Sequence, residues 1–343
     1  MNVDRHGPRW PFGYDPSMPR FQPVQLPESP AEHGAERARV SIEEWVGSAP
    51  LVALVEQFGG AIPDDGIASQ LEWLDGFSEQ HWDYRRGKER NLALAQDFDP
   101  PVEAMILDAA DALGLTGGRA PRFDSYDHML ILGGLVRACI LRPRLARTLL
   151  DGGLHVDEIT ALGAFRPLGG DEHDLARAVE LNACTNEVQA MESGARRALG
   201  LGEPTSVQRE DEKENPNERW RVARWEASTP PVTVVAAPTS DPSRRANTPD
   251  SYSYWAEHVA HLADRPGSRV LLVTSAIYVP FQHADAIRML SVPFDTIVDT
   301  IGVDPKTVTE GPFCQHFAPT NYLQEVRSAI RALRALDAAL AGP

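Results

Sequence analysis

The chain has 343 residues, a formal net charge of -16 and three cysteines. That acidic balance excludes a nucleic-acid or anionic-membrane surface, both of which need clustered Lys and Arg. No apolar run approaches the ~18 residues of a membrane span, and Cys139, Cys184 and Cys314 cannot all pair, so a soluble cytoplasmic protein with reduced thiols is expected.

Residues 1–35 hold seven prolines and little hydrophobic periodicity. Such a segment buries too little apolar surface to offset its ordering entropy, which predicts a loosely ordered arm draped over the body by Trp10, Phe12 and Tyr14. From 36 to 120 the pattern turns helical. Ser41 reads as an N-cap with Glu44 completing a capping box. Leu51, Leu54, Val55 and Phe58 recur at helical spacing before the Gly59-Gly60 stop, and 67–77 and 102–113 repeat the logic. Within this extension, 81–91 is dense in charge and aromatics. It serves either as a cationic lining for a cleft or as a solvated helix start with internal ion pairs.

From 121 to 343 strands alternate with helices. Apolar runs at 129–132, 159–162, 232–237 and 270–273 read as buried strands, with 220–225 at an edge and a last strand over 294–301. Helices are expected over 140–150, from Thr185, from Thr248 and from Asn321, while 203–219 reads as a solvated loop. This alternation predicts an α/β fold: a Rossmann-like parallel sheet with an N-terminal helical extension and a C-terminal helix.

Open parallel sheets bind ligands beyond the carboxyl ends of their strands. Four such ends converge here: Gly133-Gly134, 163–166, 238–247 and 274–278. No G-x-G-x-x-G, Walker-A, G-x-S-x-G or C-x-x-C sequence is present. Glu187 opens a helix at this edge. It is either a general base or hydroxyl acceptor, or a first-turn carboxylate that the helix dipole favours by ~0.3–1 kcal/mol. Arg166, at a strand end, reads as a ligand contact. Thr248 as N-cap and Pro249 behind it form a second anion site with Arg244 and Arg245, unless Asp250 satisfies that helix start itself. Residues 171–174 and the His258/His261 pair hold metal-ligand types, but hydrated carboxylates and two histidines make an incomplete set. Cys314 and His316 could pair as thiol and imidazole, yet side chains two residues apart diverge on a helix and stand roughly 6–7 Å apart on a strand.

Several of these segments together resemble one family. They are LGG at 132–134, Arg142 with Ala146 and Leu149 at the following helical spacing, LGAF at 162–165, TNEVQAM at 185–191, Asn247-Thr248, and VLLVTSA at 270–276. Over about residues 126–302 the chain resembles the SanA/YdcF/ElyC-type family, a Rossmann-like domain of poorly defined biochemical role. The resemblance implies a ligand pocket drawing on Gly133, Gly134, Arg142, Glu187, Thr248, Thr274 and Ser275. The family's S/T-x-x-H-x-x-R is broken, with Tyr278 in place of His and Phe281 in place of Arg. A changed ligand is implied, with His283 and Asp285 as compensating candidates. The function expected is an enzyme acting on a small anionic or nucleotide-like metabolite by hydrolysis or group transfer. Glu187 would be its acid/base, with Arg142, Arg166 and Arg245 holding the anion. The competing class is a non-catalytic binding or accessory protein taking a nucleotide or S-adenosylmethionine in the same pocket.

Overall fold

A computed structural model describes residues 20–84, 96–181, 183–210, 212–308 and 311–342. Trp10, Phe12, Tyr14 and 85–91 of the charged run lie outside them. Among the described residues four helices come first: α1 (Pro30–Val46), α2 (Ala49–Gln57), α3 (Ile67–Trp82) and α4 (Pro100–Ala112). Then follow β1 (Ser125–Ile131), α5 (Val136–Asp151), β2 (His155–Gly163), the short α6 (Glu172–Ala178), α7 (Glu187–Leu199), β3 (Ser206–Glu210) and β4 (Trp220–Trp225). The remainder is β5 (Val232–Ala236), α8 (Thr248–His258), β6 (Arg269–Ser275), α9 (Val279–Ala286), the three-residue α10 (Val292–Phe294), β7 (Ile297–Val303) and α11 (Pro319–Leu340).

Among the described residues, seven strands form one sheet in the order β3-β4-β5-β2-β1-β6-β7. The run β5-β2-β1-β6-β7 is parallel throughout, while β4 and β3 add an antiparallel margin beyond β5. Taken by appearance in the chain, the parallel strands stand 3-2-1-4-5, so the winding reverses between β1 and β6. In open α/β sheets a ligand crevice lies outside the carboxyl ends of the strands at such a reversal, here between β1 and β6.

Side chains of a strand alternate between faces, and both faces here are covered. Leu130, Leu132, Val270 and Leu272 point into one core with α8, α9 and α11. Met129, Ile131, Leu271 and Val273 point into the other, under α5 and α7. The N-terminal helices share the first of these cores, through Ile42, Leu54, Leu74 and Ile106. Arg327 of α11, itself buried, ties the two parts by donating to the Asp75 carbonyl (3.1 Å) and to Ser78 Oγ (3.2 Å) on α3. Among the described residues, no helix is long and apolar enough to cross a membrane.

Three local expectations need correction. Residues 203–219 are not all loop, because β3 pairs with β4 and displaces β4 from the sheet edge. Ser41 lies inside α1 rather than at its start; its hydroxyl donates to the Ala38 carbonyl and accepts the Glu28 N–H. The third correction concerns the proline-rich stretch, whose described part is fastened to the body. Val24 N–H donates to the Ala112 carbonyl, Leu26 and Ser29 are buried, and Ser29 Oγ accepts Val298 N–H at 2.9 Å. The Pro27 carbonyl lies 2.8 Å from His283 Nε2 in the interior. Deleting residues 1–29 strips these partners and leaves buried polar atoms unpaired. It is expected to cost about 4 kcal/mol and lower Tm by roughly 8 °C. An unchanged calorimetric Tm would restore the loose-arm expectation.

Candidate functional site

The β1–β6 crevice is built by the turn after β1. Leu132 continues the strand, its N–H donating to the Val273 carbonyl, and Gly133-Gly134 turns the chain into α5. The turn requires a small residue, since a Cβ on Gly133 would collide with Glu187 Oε1 and lie 2.8 Å from the Leu162 carbonyl oxygen. On α5, Arg142 is 2% exposed and reaches back over this turn. It donates to the Leu132 carbonyl at 2.8 Å, to the Gly133 carbonyl, and to Ser275 Oγ at 3.1 Å. One guanidinium thus fixes the ends of β1 and β6 to each other across the switch point.

A second guanidinium organises the β2 side. Arg166 Nε donates to Glu187 Oε2 at 3.0 Å, and its two terminal nitrogens grip Glu172 at 2.6 and 2.9 Å. Arg166 also donates to the Gly134 carbonyl at 3.2 Å, which links it to the same turn. Glu172 accepts the Val136 N–H of α5 at 3.0 Å and the Gly169 N–H at 3.1 Å. Both carboxylates are buried, at 5% for Glu172 and 8% for Glu187, so this is an internal cluster and not a solvated ion pair.

Burial acts on both carboxyls, with opposite outcomes. It pushes Glu187 up, and the nearby Arg166 and Arg142 charges do not fully offset it, so Glu187 titrates above the usual carboxylate range. Burial pushes Glu172 up as well, but the Arg166 hydrogen bonds and charge, with the backbone donors, hold it below that range. Buried Cys139 is pushed up by desolvation and remains a thiol, 3.4 Å from the Gly134 carbonyl.

The N-terminus of α7 is closed by the chain. Glu187 N–H donates to the Arg166 carbonyl, Val188 N–H to the Ala164 carbonyl and Gln189 N–H to Asn186 Oδ1. Glu187 therefore brings its side chain to the site, while its helix start offers no anion cradle.

The predicted anion site at α8 is corrected. The N-cap is Asn247, one residue before Thr248, and Asp250 completes a reciprocal capping box with it. Asp250 also takes Ser240 and Arg244, and it titrates at about 2: burial raises it, and the Arg244, Ser240 and Asn247 hydrogen bonds more than reverse that. The helix start is thus satisfied by its own carboxylate. Arg244 joins that network by its side chain, Arg245 contributes its backbone carbonyl to Arg244, and Arg245 itself is exposed.

Beyond β6, Thr274 is fully buried and donates to Gln282 Oε1, while Ser275 stays half-buried at the crevice. Tyr278 caps α9 and is half-buried against the core, as is Phe281. His283 and Asp285, expected as compensating candidates, both engage the protein's own groups. His283 turns inward to Thr300 and Pro27, and Asp285 pairs with Arg288 at 3.0 Å. Among the described residues, the buried Tyr252 hydroxyl has no hydrogen-bond partner, and the charges acting on it are Asp285 and Arg142.

Cys314 Sγ and His316 Nε2 lie 3.5 Å apart, closer than helix or strand geometry would bring them, because residues 313–317 form neither. Among the described residues, no group of three or more His, Cys, Asp or Glu is placed to hold a metal ion. Two open depressions of ≈ 550 and ≈ 310 Å³ lie at the opposite, amino edge of the sheet, lined by Asp127, Asp157, Arg265 and Arg269 among others. They lie away from the cluster of Arg142, Arg166, Glu172, Glu187 and Ser275 at the carboxyl edge.

Fold and cluster together define a Rossmann-like α/β protein with a buried arginine–glutamate network at its switch point. The Rv3785 N-terminal domain family matches residues 29–114, the region of α1 to α4. The uncharacterized proteins Rv3785 of Mycobacterium tuberculosis (strain ATCC 25618 / H37Rv) and Mb3814 of Mycobacterium bovis are each 33% identical over 345 residues. The matched regions span 92% of this chain and 93% of each relative. The chain belongs to the Rv3785 family. No solved structure matches it.

Proposed function

We propose that this protein binds a small anionic or nucleotide-like metabolite at the β1–β6 crevice and acts on it by hydrolysis or group transfer. The observation that carries this is Glu187. A carboxyl titrating above its usual range is held against the Gly133 turn by a guanidinium, at the edge where α/β sheets bind ligands. The resemblance to SanA/YdcF/ElyC-type proteins supports the same pocket. In this reading Glu187 is the acid/base. Ser275 and the α5 start meet the ligand, and Arg142 positions the turn instead of holding the anion itself.

A second reading, a non-catalytic binding or accessory protein, draws on the engagement of both arginines by the protein's own carbonyls and carboxylates. Glu187→Gln separates the two. The variant is nearly isosteric and keeps an acceptor for Arg166, so stability should change by about 1 kcal/mol or less. A thermal-shift panel of nucleotides, S-adenosylmethionine and phosphorylated metabolites identifies the ligand first; turnover is then assayed on it. An enzyme should lose turnover at least about tenfold while still binding. If Glu187 is the base, wild-type rates should also rise with pH through a limb displaced above the ordinary carboxylate range, and Gln should abolish that limb. Unchanged turnover would remove Glu187 from the chemistry, and binding without turnover in the wild type favours the accessory reading.

A further inference from the structure

In an α/β sheet wound this way, an anionic ligand group sits against the start of the helix that follows the first strand. In this chain that helix is α5, and the position beside its Val136 N–H is held by the Glu172 carboxylate. The carboxylate is placed as a bound anion would be: gripped by both terminal nitrogens of Arg166, and accepting two backbone N–H groups from separate segments. Its helix is a seven-residue insert between two bends. Gly170 has φ +56 on one side, with open space around its Cβ position and that of Gly169, and Glu180 has φ 59 on the other. The ends of the insert are pinned by the Pro167–Asn186 bridge.

We infer that Glu172 is a resident counter-anion which the anionic group of the ligand displaces, with α6 moving as a flap about the Gly169-Gly170 bend. This rests on the reading of the crevice as an anion site and adds its regulation. The position is closed by the protein's own carboxylate, so a ligand must carry enough negative charge to replace it at Arg166 and Val136. Neutral molecules are thereby disfavoured.

The test is calorimetric titration of inorganic pyrophosphate into the wild type, Glu172→Gln and Asp174→Asn. Asp174 is an exposed carboxylate on the same helix, paired with Arg177, and controls for a simple change in net charge. Removing the internal competitor should tighten pyrophosphate binding about tenfold, and Asp174→Asn should change it less than about twofold. Wild-type binding that Glu172→Gln does not tighten, or that Asp174→Asn tightens equally, overturns the displacement while leaving the anion site standing. Absence of pyrophosphate binding in all three proteins overturns both. If Glu172→Gln does not fold, hydrogen exchange of the wild type decides. Saturating pyrophosphate should speed exchange of the α6 amides, and slower exchange there would mean that α6 closes over the ligand instead of yielding to it.

Discussion

Arg166→Met is expected to destabilise the protein by about 3–5 kcal/mol at pH 8, the cost of breaking a buried ion pair by removing one partner. The single guanidinium serves Glu172, Glu187 and the Gly134 carbonyl, and its side chain is only 15% exposed. Methionine fills a similar volume, so packing is not the main loss. What remains is two buried carboxylates without their shared counter-charge. In the variant both carboxyls would titrate above their unfolded value of about 4.3. The folded state then holds more protons than the unfolded state, and stability falls as pH rises. The deficit should therefore shrink by more than about 1 kcal/mol between pH 8 and pH 5, where the carboxyls become neutral. Urea unfolding at the two pH values measures it. A loss below about 1 kcal/mol at both would mean that the cluster behaves as a hydrated surface pair.

Gly194→Ala has the second large effect, and its sign is diagnostic. Gly194 lies within α7, where helix propensity alone would favour alanine by ~1 kcal/mol. A Cβ there would fall on the Cys139 carbonyl oxygen and lie 2.9 Å from its carbon, so the obstacle is the backbone of α5. The two helices would have to separate, moving the helix that carries Arg142. Overpacking of this kind costs about 1–3 kcal/mol or more, so a net destabilisation of about 2 kcal/mol is expected. Gly76→Ala is the control. It is an exposed position on α3 with nothing near its Cβ, and it should stabilise by up to ~1 kcal/mol. Calorimetric Tm values shifting in the same direction for both would show that α5 and α7 have room between them.

The parallel strands β1, β2, β5 and β6 were legible because each carries a short apolar run buried on both faces, whereas β7 reads IVDTIGV, with Asp299 and Thr300 buried inside it. β3 was not legible. Its residues SVQRE carry one hydrophobic side chain, Val207, and that side chain is 42% exposed. Pairing with β4 makes the strand, and no hydrophobic pattern announces pairing. The stretch from 20 to 35 was misjudged for a related reason. It is held by backbone groups, such as Val24 N–H and the Pro27 carbonyl, that are the same for every sequence.

The candidate site divides the same way. Glu187 was picked out by its place at a helix start beyond a strand, and it does open α7. Glu172 sits among Asp171, His173 and Asp174, and a run of charges on a glycine-flanked loop reads as hydrated. Its burial comes from Arg166 and from the N-terminus of α5, neither of which marks the local sequence. At α8 the helix itself was legible, but the carboxylate that satisfies its start, Asp250, also removes it as an anion site.

The placement of the site on the carboxyl edge is tested most directly by a crystal soaked with whichever member of the ligand panel stabilises the protein. Density is expected over the Gly133-Gly134 turn, within hydrogen-bond distance of Ser275 Oγ and Val136 N–H and beside Glu187. Density instead in the amino-edge depression lined by Asp127, Asp157 and Arg265 would contradict it.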